Sequence, residues 1–192
     1  FQPVASASAA ICKAGPQVPI IAIDIEQDPC QNAFMGADNS YAGEVTGKAL
    51  GEHFKKTFNC EFDSFISLED YGVGVVNAAR MGGYRTGFES VCGKIGDKLI
   101  QIDAGRLEPA LAKMKDALTT LPNAKKIAVV AINDEGIQGA FAAAKAIGRD
   151  KDIYAGSQGA AASAHCDIAK NKNWIGATAY FPERYGEIGV PY

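Results

Sequence analysis

Residues 126–148, KIAVVAINDEGIQGAFAAAKAIG, decide the fold of this chain. The stretch begins with an apolar run rich in branched side chains, residues 127–132, which suits a strand buried on both faces of a parallel sheet. After the polar pair Asn133-Asp134 the apolar residues recur at helical spacing. They are Ile137, Ala140, Phe141, Ala144 and Ile147. Gly148 follows where a helix C-cap is expected, so the stretch predicts a strand, a tight polar turn and a helix.

The same unit recurs along the chain. The other predicted strands cover residues 18–24, 33–37, 62–68, 98–102, 152–156 and 174–180. The other predicted helices cover residues 41–58, 75–91, 107–121 and 160–170, after a helix of small residues near the start of the chain. Strands and helices that alternate at this spacing are typical of βαβ crossovers. The predicted fold class is therefore α/β, a doubly wound parallel sheet with helices on both faces.

Three glycines, Gly43, Gly47 and Gly51, interrupt the predicted helix over residues 41–58. Glycine lowers helix propensity, so its repeated use in one helix needs a compensating reason. We expect this helix to pack closely against a neighbouring element, where a larger side chain would not fit.

The composition excludes several classes of protein. Of the 192 residues, 47% are apolar and 21% are charged, which is ordinary for a globular protein and argues against disorder. The formal net charge of −3 provides no basic surface, so neither nucleic acid nor an anionic membrane is an expected partner. No apolar run is long enough to cross a bilayer, and the printed sequence shows no signal peptide.

The five cysteines leave two interpretations open. They form no CxxC motif, and the two histidines do not complete metal-ligand spacing, so no zinc site is expected. The spacing permits Cys12 to pair with Cys30 and Cys60 with Cys92, leaving Cys166 over. Such disulfides would indicate an oxidising compartment. The alternative on spacing alone is a set of buried thiols in a cytosolic protein.

Polar residues gather at the predicted carboxyl edge of the sheet, where ligands bind to open parallel sheets. They are Asp24, Asp70, Asn77, Arg80, Asp103, Asn133, Asp134, Gln158 and Tyr180. Amide, carboxylate and guanidinium groups together supply both donors and acceptors, as the hydroxyls of a polyhydroxylated ligand require. Taken one residue at a time, the alternative is that Asn133 and Asp134 cap their helix and that Arg80 pairs with a carboxylate.

Signals for catalysis or for a cofactor are weak. Both histidines, His53 and His165, fall within predicted helices and not at the carboxyl edge, so no general base is placed there. The pair Gly72 and Gly74 lacks the third glycine of a dinucleotide loop, and no phosphate-binding lysine motif is present. We therefore expect neither an enzyme nor a bound cofactor.

Several segments, in this order, resemble the periplasmic sugar-binding proteins of the ribose-binding type: VPIIAID, GADNSYAGEVTGKALGEHF, NAARMGGY, INDEGIQGAFAAAKAIG and GATAYFPERYGEIG. That family comprises solute receptors of ABC uptake systems and shares its core with LacI-type transcription regulators. The resemblance implies the type I fold, with two α/β lobes that close on a sugar by hinge bending. It implies that residues 1–38 and 181–192 are a remnant of the N-terminal lobe. Residues 39–180 would form the C-terminal sugar-binding lobe of a longer protein.

The resemblance also implies which residues bind the ligand. They are Asp24, Asn77, Arg80, Asn133, Gln158 and Tyr180. Asn133 matches the Asn of the family's ND dipeptide, and Arg80 matches the arginine of an R-x-x-G-aromatic motif. Gln158 stands where the family usually has Asp, and Tyr180 where ribose binders have Gln, so the expected ligand is a sugar or polyol other than ribose. Gly105, near the position of an aromatic residue of the cleft, is expected to leave room for a larger ligand.

The partners and location follow from the same resemblance. We expect a monomeric receptor, made with a signal peptide in its precursor, that acts in the periplasm or outside the cell. Its partners would be a small sugar or polyol and a cognate ABC permease, with no direct insertion into the membrane. The alternatives are the effector-binding core of a LacI-type regulator and an enzyme built on the same scaffold.

Overall fold

The computed structural model describes residues 5–14, 18–26 and 30–189. The chain divides into two compact units, one formed by Phe1–Asp38 with Tyr180–Tyr192 and the other by Asn39–Ala179. In the first unit, helix α1 (Ala5–Ala14) precedes strands β1 (Ile21–Ile23) and β2 (Ala33–Met35), which pair in parallel.

The second unit alternates helices and strands. Its elements are α2 (Asn39–Phe58), β3 (Ser64–Glu69), α3 (Val75–Cys92), β4 (Leu99–Asp103), α4 (Leu107–Thr120), β5 (Ile127–Ala131), α5 (Asp134–Ala146), β6 (Ile153–Gly159), α6 (His165–Lys170) and β7 (Trp174–Ala179). The five strands form one parallel sheet in the order β4-β3-β5-β6-β7. This sheet confirms the predicted α/β fold class. The chain then returns to the first unit with α7 (Tyr185–Gly189).

Strand β5 lies at the centre of the sheet and is buried along its whole length. Because successive side chains of a strand point to opposite faces, β5 contributes to two hydrophobic cores. Ala128 and Val130 belong to the core beneath α2 and α3, whereas Val129 and Ala131 belong to the core beneath α4 and α5. The sheet is therefore covered on both faces, as the apolar run in the sequence predicted.

Helices α2 and α3 pack so closely that four glycines form their contact: Gly43 and Gly47 of α2 with Gly83 and Gly87 of α3. We call these residues the glycine seam. A Cβ atom at Gly47 would lie 2.8 Å from Tyr84 Cα and closer still to the Tyr84 carbonyl oxygen. Each of the other three would likewise overlap the backbone of the facing helix. The close packing predicted from the glycines of α2 is confirmed.

Helix α6 begins later than predicted. The sequence predicted a helix over residues 160–170, but the helix starts at His165. Ala160 has a left-handed φ of 50°, and the Ala161 N–H donates to Asp134 Oδ2 over 2.7 Å. The buried Asp134 carboxylate therefore holds the chain in a turn after β6, and a helix cannot begin until this turn ends.

The cysteine pairing is confirmed. Cys12 is bonded to Cys30 in the first unit, and Cys60 is bonded to Cys92 in the second. The second bond joins the segment after α2 to the last residue of α3, on the helix pair that carries the glycine seam. Cys166 is a free thiol and is exposed.

Arg149 holds the end of α4 against the segment after α5. Its guanidinium group donates to the carbonyl oxygens of Leu118, Leu121 and Ala124. Its Nε donates to Asp152 Oδ2 over 2.8 Å. Burial alone would raise the pKa of Asp152, but hydrogen bonds from Arg149 and Lys125 outweigh it and lower that pKa.

We expect Arg149→Met to lower the free energy of unfolding by about 2–3 kcal/mol, because three part-buried carbonyls lose a charged donor and the Asp152 carboxylate keeps only Lys125. A lowered pKa of Asp152 stabilises the fold above the pKa of the unfolded chain, about 4, and the effect is lost as the pH falls through the folded pKa. The variant should therefore lose part of the stability that the unmodified protein gains as the pH rises from the folded pKa of Asp152 to above about 4. Urea unfolding across this range checks both effects, with Lys151→Met, an exposed neighbour, as the unaffected control.

Within residues 5–14, 18–26 and 30–189, no helix has the length and apolar character needed to cross a membrane. The same residues contain no group of three His, Cys, Asp or Glu side chains that could hold a metal ion.

Candidate functional site

The candidate site lies at the carboxyl edge of the sheet of the second unit. The strands β3 and β5 are neighbours in the sheet, but the strand that follows β3 in the chain, β4, lies on one side of this pair, and the strand that follows β5, β6, lies on the other side. The crevice between the ends of β3 and β5 is therefore the switch point at which open α/β sheets bind ligands. Four polar side chains lie in this region: Asn39 at the start of α2, Arg80 in the second turn of α3, Asn133 between β5 and α5, and Gln158 near the end of β6.

Arg80 is almost completely buried, with 3% of its surface exposed. Its Nε donates to Asn39 Oδ1 over 2.7 Å, and its Nη1 donates to the Ile132 carbonyl oxygen over 2.9 Å. A buried guanidinium group requires such partners, because desolvating it without them would be very costly. The side chain therefore bridges the start of α2 and the end of β5 in a fixed geometry, since guanidinium donors form a planar fork.

Gln158 is fully buried near the end of β6. Its Nε2 donates to Asn39 Oδ1 over 3.2 Å. Its Oε1 is also buried and has no hydrogen-bond partner in the part of the chain that the structure describes. Because a buried acceptor without a partner costs about 1–3 kcal/mol, the site contains an acceptor that a bound hydroxyl or a water can satisfy.

Asn133 is half-buried between β5 and α5. Its Oδ1 accepts a hydrogen bond from the Gly136 N–H over 3.0 Å, so this side chain is the N-cap of α5. The sequence left open whether Asn133 caps the helix or contacts a ligand. The cap uses only the amide oxygen, and no hydrogen bond to another described residue uses Nδ2, so a donor remains for a ligand.

Asn77 is buried and is held by its neighbours at both ends of its amide. Nδ2 donates to Glu69 Oε2 over 2.8 Å, and Oδ1 accepts from the Asp70 N–H over 2.9 Å. Glu69 also accepts from Ser67 Oγ and from Gln101 Nε2. Asn77 therefore fixes the turn after β3, and this placement favours a structural role for it.

The other two predicted site residues, Asp24 and Tyr180, belong to the first unit. Asp24 directly follows β1, and its backbone N–H donates to the Met35 carbonyl oxygen over 2.9 Å. Its φ of 68° lies in the left-handed region, which is uncommon outside glycine and is often found at functional sites. Tyr180 is half-buried and directly follows β7.

One expectation about the size of the site is wrong. Gly105 was expected to leave room for a larger ligand, but it is buried between two neighbours. A Cβ atom there would lie 2.7 Å from Ile132 Cγ2 and 2.8 Å from Asp70 Cβ. The glycine is therefore required by close packing beneath the site and adds no space to it.

The sequence identified neither Asn39 as part of the site nor Glu69 as the buried partner of Asn77. Asn39 is the first residue of α2 and accepts hydrogen bonds from Arg80 and Gln158, two of the predicted ligand contacts. Glu69 ends β3 and is buried, which its charge alone did not suggest. Its position at a strand's carboxyl end was the available signal.

A protein-family model described as a periplasmic binding protein domain matches residues 3–191. No curated protein matches the chain. Three similar solved structures are ABC-transporter solute-binding proteins. The one from Actinobacillus succinogenes has a TM-score of 0.76 and 22% identity, over 97% of this chain and 66% of that one. The one from Mycobacterium smegmatis has a TM-score of 0.76 and 20% identity, over 97% of this chain and 62% of that one. The one from Burkholderia multivorans has a TM-score of 0.79 and 18% identity, over 97% of this chain and 65% of that one.

These likenesses agree with the parallel sheet of the second unit and show that the fold is that of type I periplasmic binding proteins. The chain spans only 62–66% of the length of these three neighbours.

Proposed function

We infer that this chain, which belongs to the periplasmic binding protein domain family, is the greater part of a sugar or polyol receptor of an ABC uptake system. The observation that carries the proposal is the fully buried Gln158, whose Oε1 has no partner among the described residues. Similar solved structures are described with bound D-allose, bound glycerol and bound L-arabinofuranose. These are polyhydroxylated molecules of the kind that such a site would hold.

The chemistry of the site suits hydroxyl groups. Gln158 offers an acceptor, Asn133 Nδ2 offers a donor, and the buried guanidinium of Arg80 donates to Asn39, the residue that also accepts from Gln158. A sugar hydroxyl both donates and accepts, so neighbouring hydroxyls can satisfy groups of opposite type. To these proposed ligand-binding residues we add Asp24 and Tyr180 of the first unit, because the family resemblance assigns them to the same ligand. Binding makes and breaks no covalent bond, and a hinge movement of the lobes would enclose the ligand.

The proposal places the receptor in the periplasm or outside the cell as a monomer that delivers its ligand to a membrane permease. Two disulfides in one chain support an oxidising compartment. They favour the receptor over the effector-binding core of a LacI-type regulator, which would act in the cytosol.

Thiol labelling tests the compartment. Alkylation of the native, unreduced protein is expected to modify Cys166 and to leave Cys12, Cys30, Cys60 and Cys92 unlabelled, whereas reduction and unfolding should expose all five. Peptide mapping by mass spectrometry reads out each site. Labelling of Cys60 and Cys92 without reduction would favour the cytosolic regulator.

Asn133→Asp separates ligand binding from helix capping. Aspartate is as good an N-cap as asparagine, so the free energy of unfolding should change by less than about 0.5 kcal/mol. The change removes the Nδ2 donor, and we expect ligand affinity to fall about 10-fold or more, because a buried hydroxyl loses its partner. Calorimetric titration of the full-length protein with D-allose, L-arabinose and glycerol measures the affinity.

The matched control is Asn133→Ala, which removes both the cap and the donor. It should lose about 1 kcal/mol of stability in addition to affinity. Unchanged affinity in Asn133→Asp would remove Asn133 from the site, and binding of none of a broader panel of sugars and polyols would overturn the proposed function.

A further inference from the structure

Asn39 is the common acceptor of two side chains of the site. Its Oδ1 lies 2.7 Å from Arg80 Nε and 3.2 Å from Gln158 Nε2. The assignment of oxygen and nitrogen in a side-chain amide depends on its hydrogen bonds, and here arginine decides it. Arginine has only donors, so the Asn39 atom that faces Arg80 Nε must be the oxygen.

This fixed polarity extends to Gln158. The Gln158 atom that faces the Asn39 oxygen must carry hydrogens, because two oxygens at that distance would repel each other. Its Nε2 therefore points to Asn39, and its Oε1 points the other way and stays buried without a described partner. A glutamine whose neighbours can either donate or accept could adopt both orientations of its amide. Here Arg80 fixes the Asn39 amide and Asn39 fixes the Gln158 amide, so only one orientation of Gln158 is allowed.

We propose that Asn39 is a positioning residue that makes Gln158 present an acceptor, and only an acceptor, to the ligand. The proposal rests on the proposed function and adds a requirement for the ligand. The group that meets Gln158 must be a hydroxyl that donates its hydrogen, so a ligand with a hydrogen, a fluorine or an ether oxygen at that position is discriminated against.

The start of α2 is well placed to hold Asn39 still. A Cβ atom at Gly83 of α3 would overlap the Ser40 carbonyl oxygen, so α3 lies directly against the residue that follows Asn39. Thr178 Oγ1 of β7 donates to the Ala42 carbonyl oxygen over 2.9 Å, and Thr178 also contacts Thr46 Oγ1. These contacts fix the first turns of α2 relative to α3 and the sheet, and therefore the position of the Asn39 oxygen.

The first test requires no ligand. The Gln158 side-chain amide of the ¹⁵N-labelled full-length protein is assigned by its loss in Gln158→Met, and its hydrogen exchange is measured. We expect slow exchange in the unmodified protein and in Asn39→Asp, whose carboxylate accepts from both donors. Asn39→Leu is expected to exchange at least about 10-fold faster, because the hydrogen bond is lost. Asn39→Ser suits a helix start but is too short to reach both donors, so it replaces Asn39→Leu if that variant does not fold.

The second test measures discrimination with D-allose and its monodeoxy analogues. In the unmodified protein and in Asn39→Asp, one analogue should bind about 10- to 100-fold more weakly than D-allose, because Gln158 Oε1 stays unpaired. In Asn39→Leu or Asn39→Ser, the affinity of D-allose relative to this analogue should fall towards its affinity relative to the other analogues. A purely structural role for Asn39 would lower all affinities alike.

Exchange of the Gln158 amide that is unchanged in Asn39→Leu and Asn39→Ser would overturn the positioning role, whatever binds. Uniform weakening of all the analogues would overturn the discrimination. Failure of D-allose and of the wider panel to bind, with the exchange result as expected, would instead count against the proposed function and leave the role of Asn39 supported.

Discussion

Gly47→Ala is expected to destabilise the second unit by about 3 kcal/mol, a large effect for the addition of one methyl group. The new Cβ atom would overlap the carbonyl oxygen of Tyr84 and lie 2.8 Å from Tyr84 Cα. Backbone atoms of a helix cannot move aside as a flexible side chain can. The two helices must therefore separate, and the core beneath them, which contains Leu50, Phe54 and Phe88, loses packing.

The control for this prediction lies in the same helix pair. Gly82 of α3 has no heavy atom within 4 Å of the position that a Cβ would occupy. Gly82→Ala should therefore show only the gain in helix propensity and raise the free energy of unfolding by about 0.5–1 kcal/mol. Chemical denaturation of the two variants measures effects of opposite sign from the same substitution. A Gly47→Ala protein as stable as the unmodified one would show that the helices are not in contact along the glycine seam.

The seam also connects packing to the candidate site. Gly83 lies against the Ser40 carbonyl oxygen, one residue from Asn39, and Gly43 lies against the Arg80 carbonyl oxygen. The hydrogen bond between Arg80 and Asn39 therefore joins two helices whose separation the seam determines. Alanine at Gly43 or Gly83 should impair ligand binding as well as stability, although neither residue belongs to the site.

The sequence predicted the order and class of the elements because each carries a local signal. The apolar run of β5, the helical stripe after Asn133 and the glycines of α2 depend on periodicity or residue type, which can be read along the chain. The start of α6 was predicted too early, because it depends on Asp134, a residue far away in sequence that binds the Ala161 N–H. Such a contact leaves no trace in local periodicity.

The same distinction applies to the site. Residues at strand ends, such as Asn133 and Gln158, could be proposed because a parallel sheet brings its carboxyl ends to one edge. The role of Asn39 could not, because it depends on three side chains from α2, α3 and β6 meeting at one oxygen atom. The space at Gly105 was misjudged for a similar reason, since a glycine can mark either room or close contact. Only its neighbours, Asp70 and Ile132, decide which.

Arg80→Lys is expected to have the largest effect on ligand binding, lowering the affinity at least about 100-fold, or about 2.7 kcal/mol. Lysine keeps the positive charge but has one ammonium group, which cannot reproduce the planar fork that reaches both Asn39 Oδ1 and the Ile132 carbonyl oxygen. Loss of the bond to Asn39 removes the donor that sets the polarity of the Asn39 amide, and with it the orientation of Gln158. The free energy of unfolding without ligand should also fall, by about 2 kcal/mol, because buried acceptors lose a charged donor.

Arg85→Lys supplies the comparison that separates a site effect from a general effect of replacing arginine. Arg85 lies in the same helix, is half-buried, and donates to the Met81 carbonyl oxygen over 3.2 Å. It contacts none of the four polar side chains of the site in the hydrogen bonds described, so Arg85→Lys should leave sugar affinity within about twofold and stability within about 0.5 kcal/mol. Titration calorimetry and urea unfolding of both variants distinguish the outcomes. If Arg80→Lys loses stability but keeps its affinity, Arg80 supports the fold without contributing to binding, and the ligand must be held by other groups at this edge.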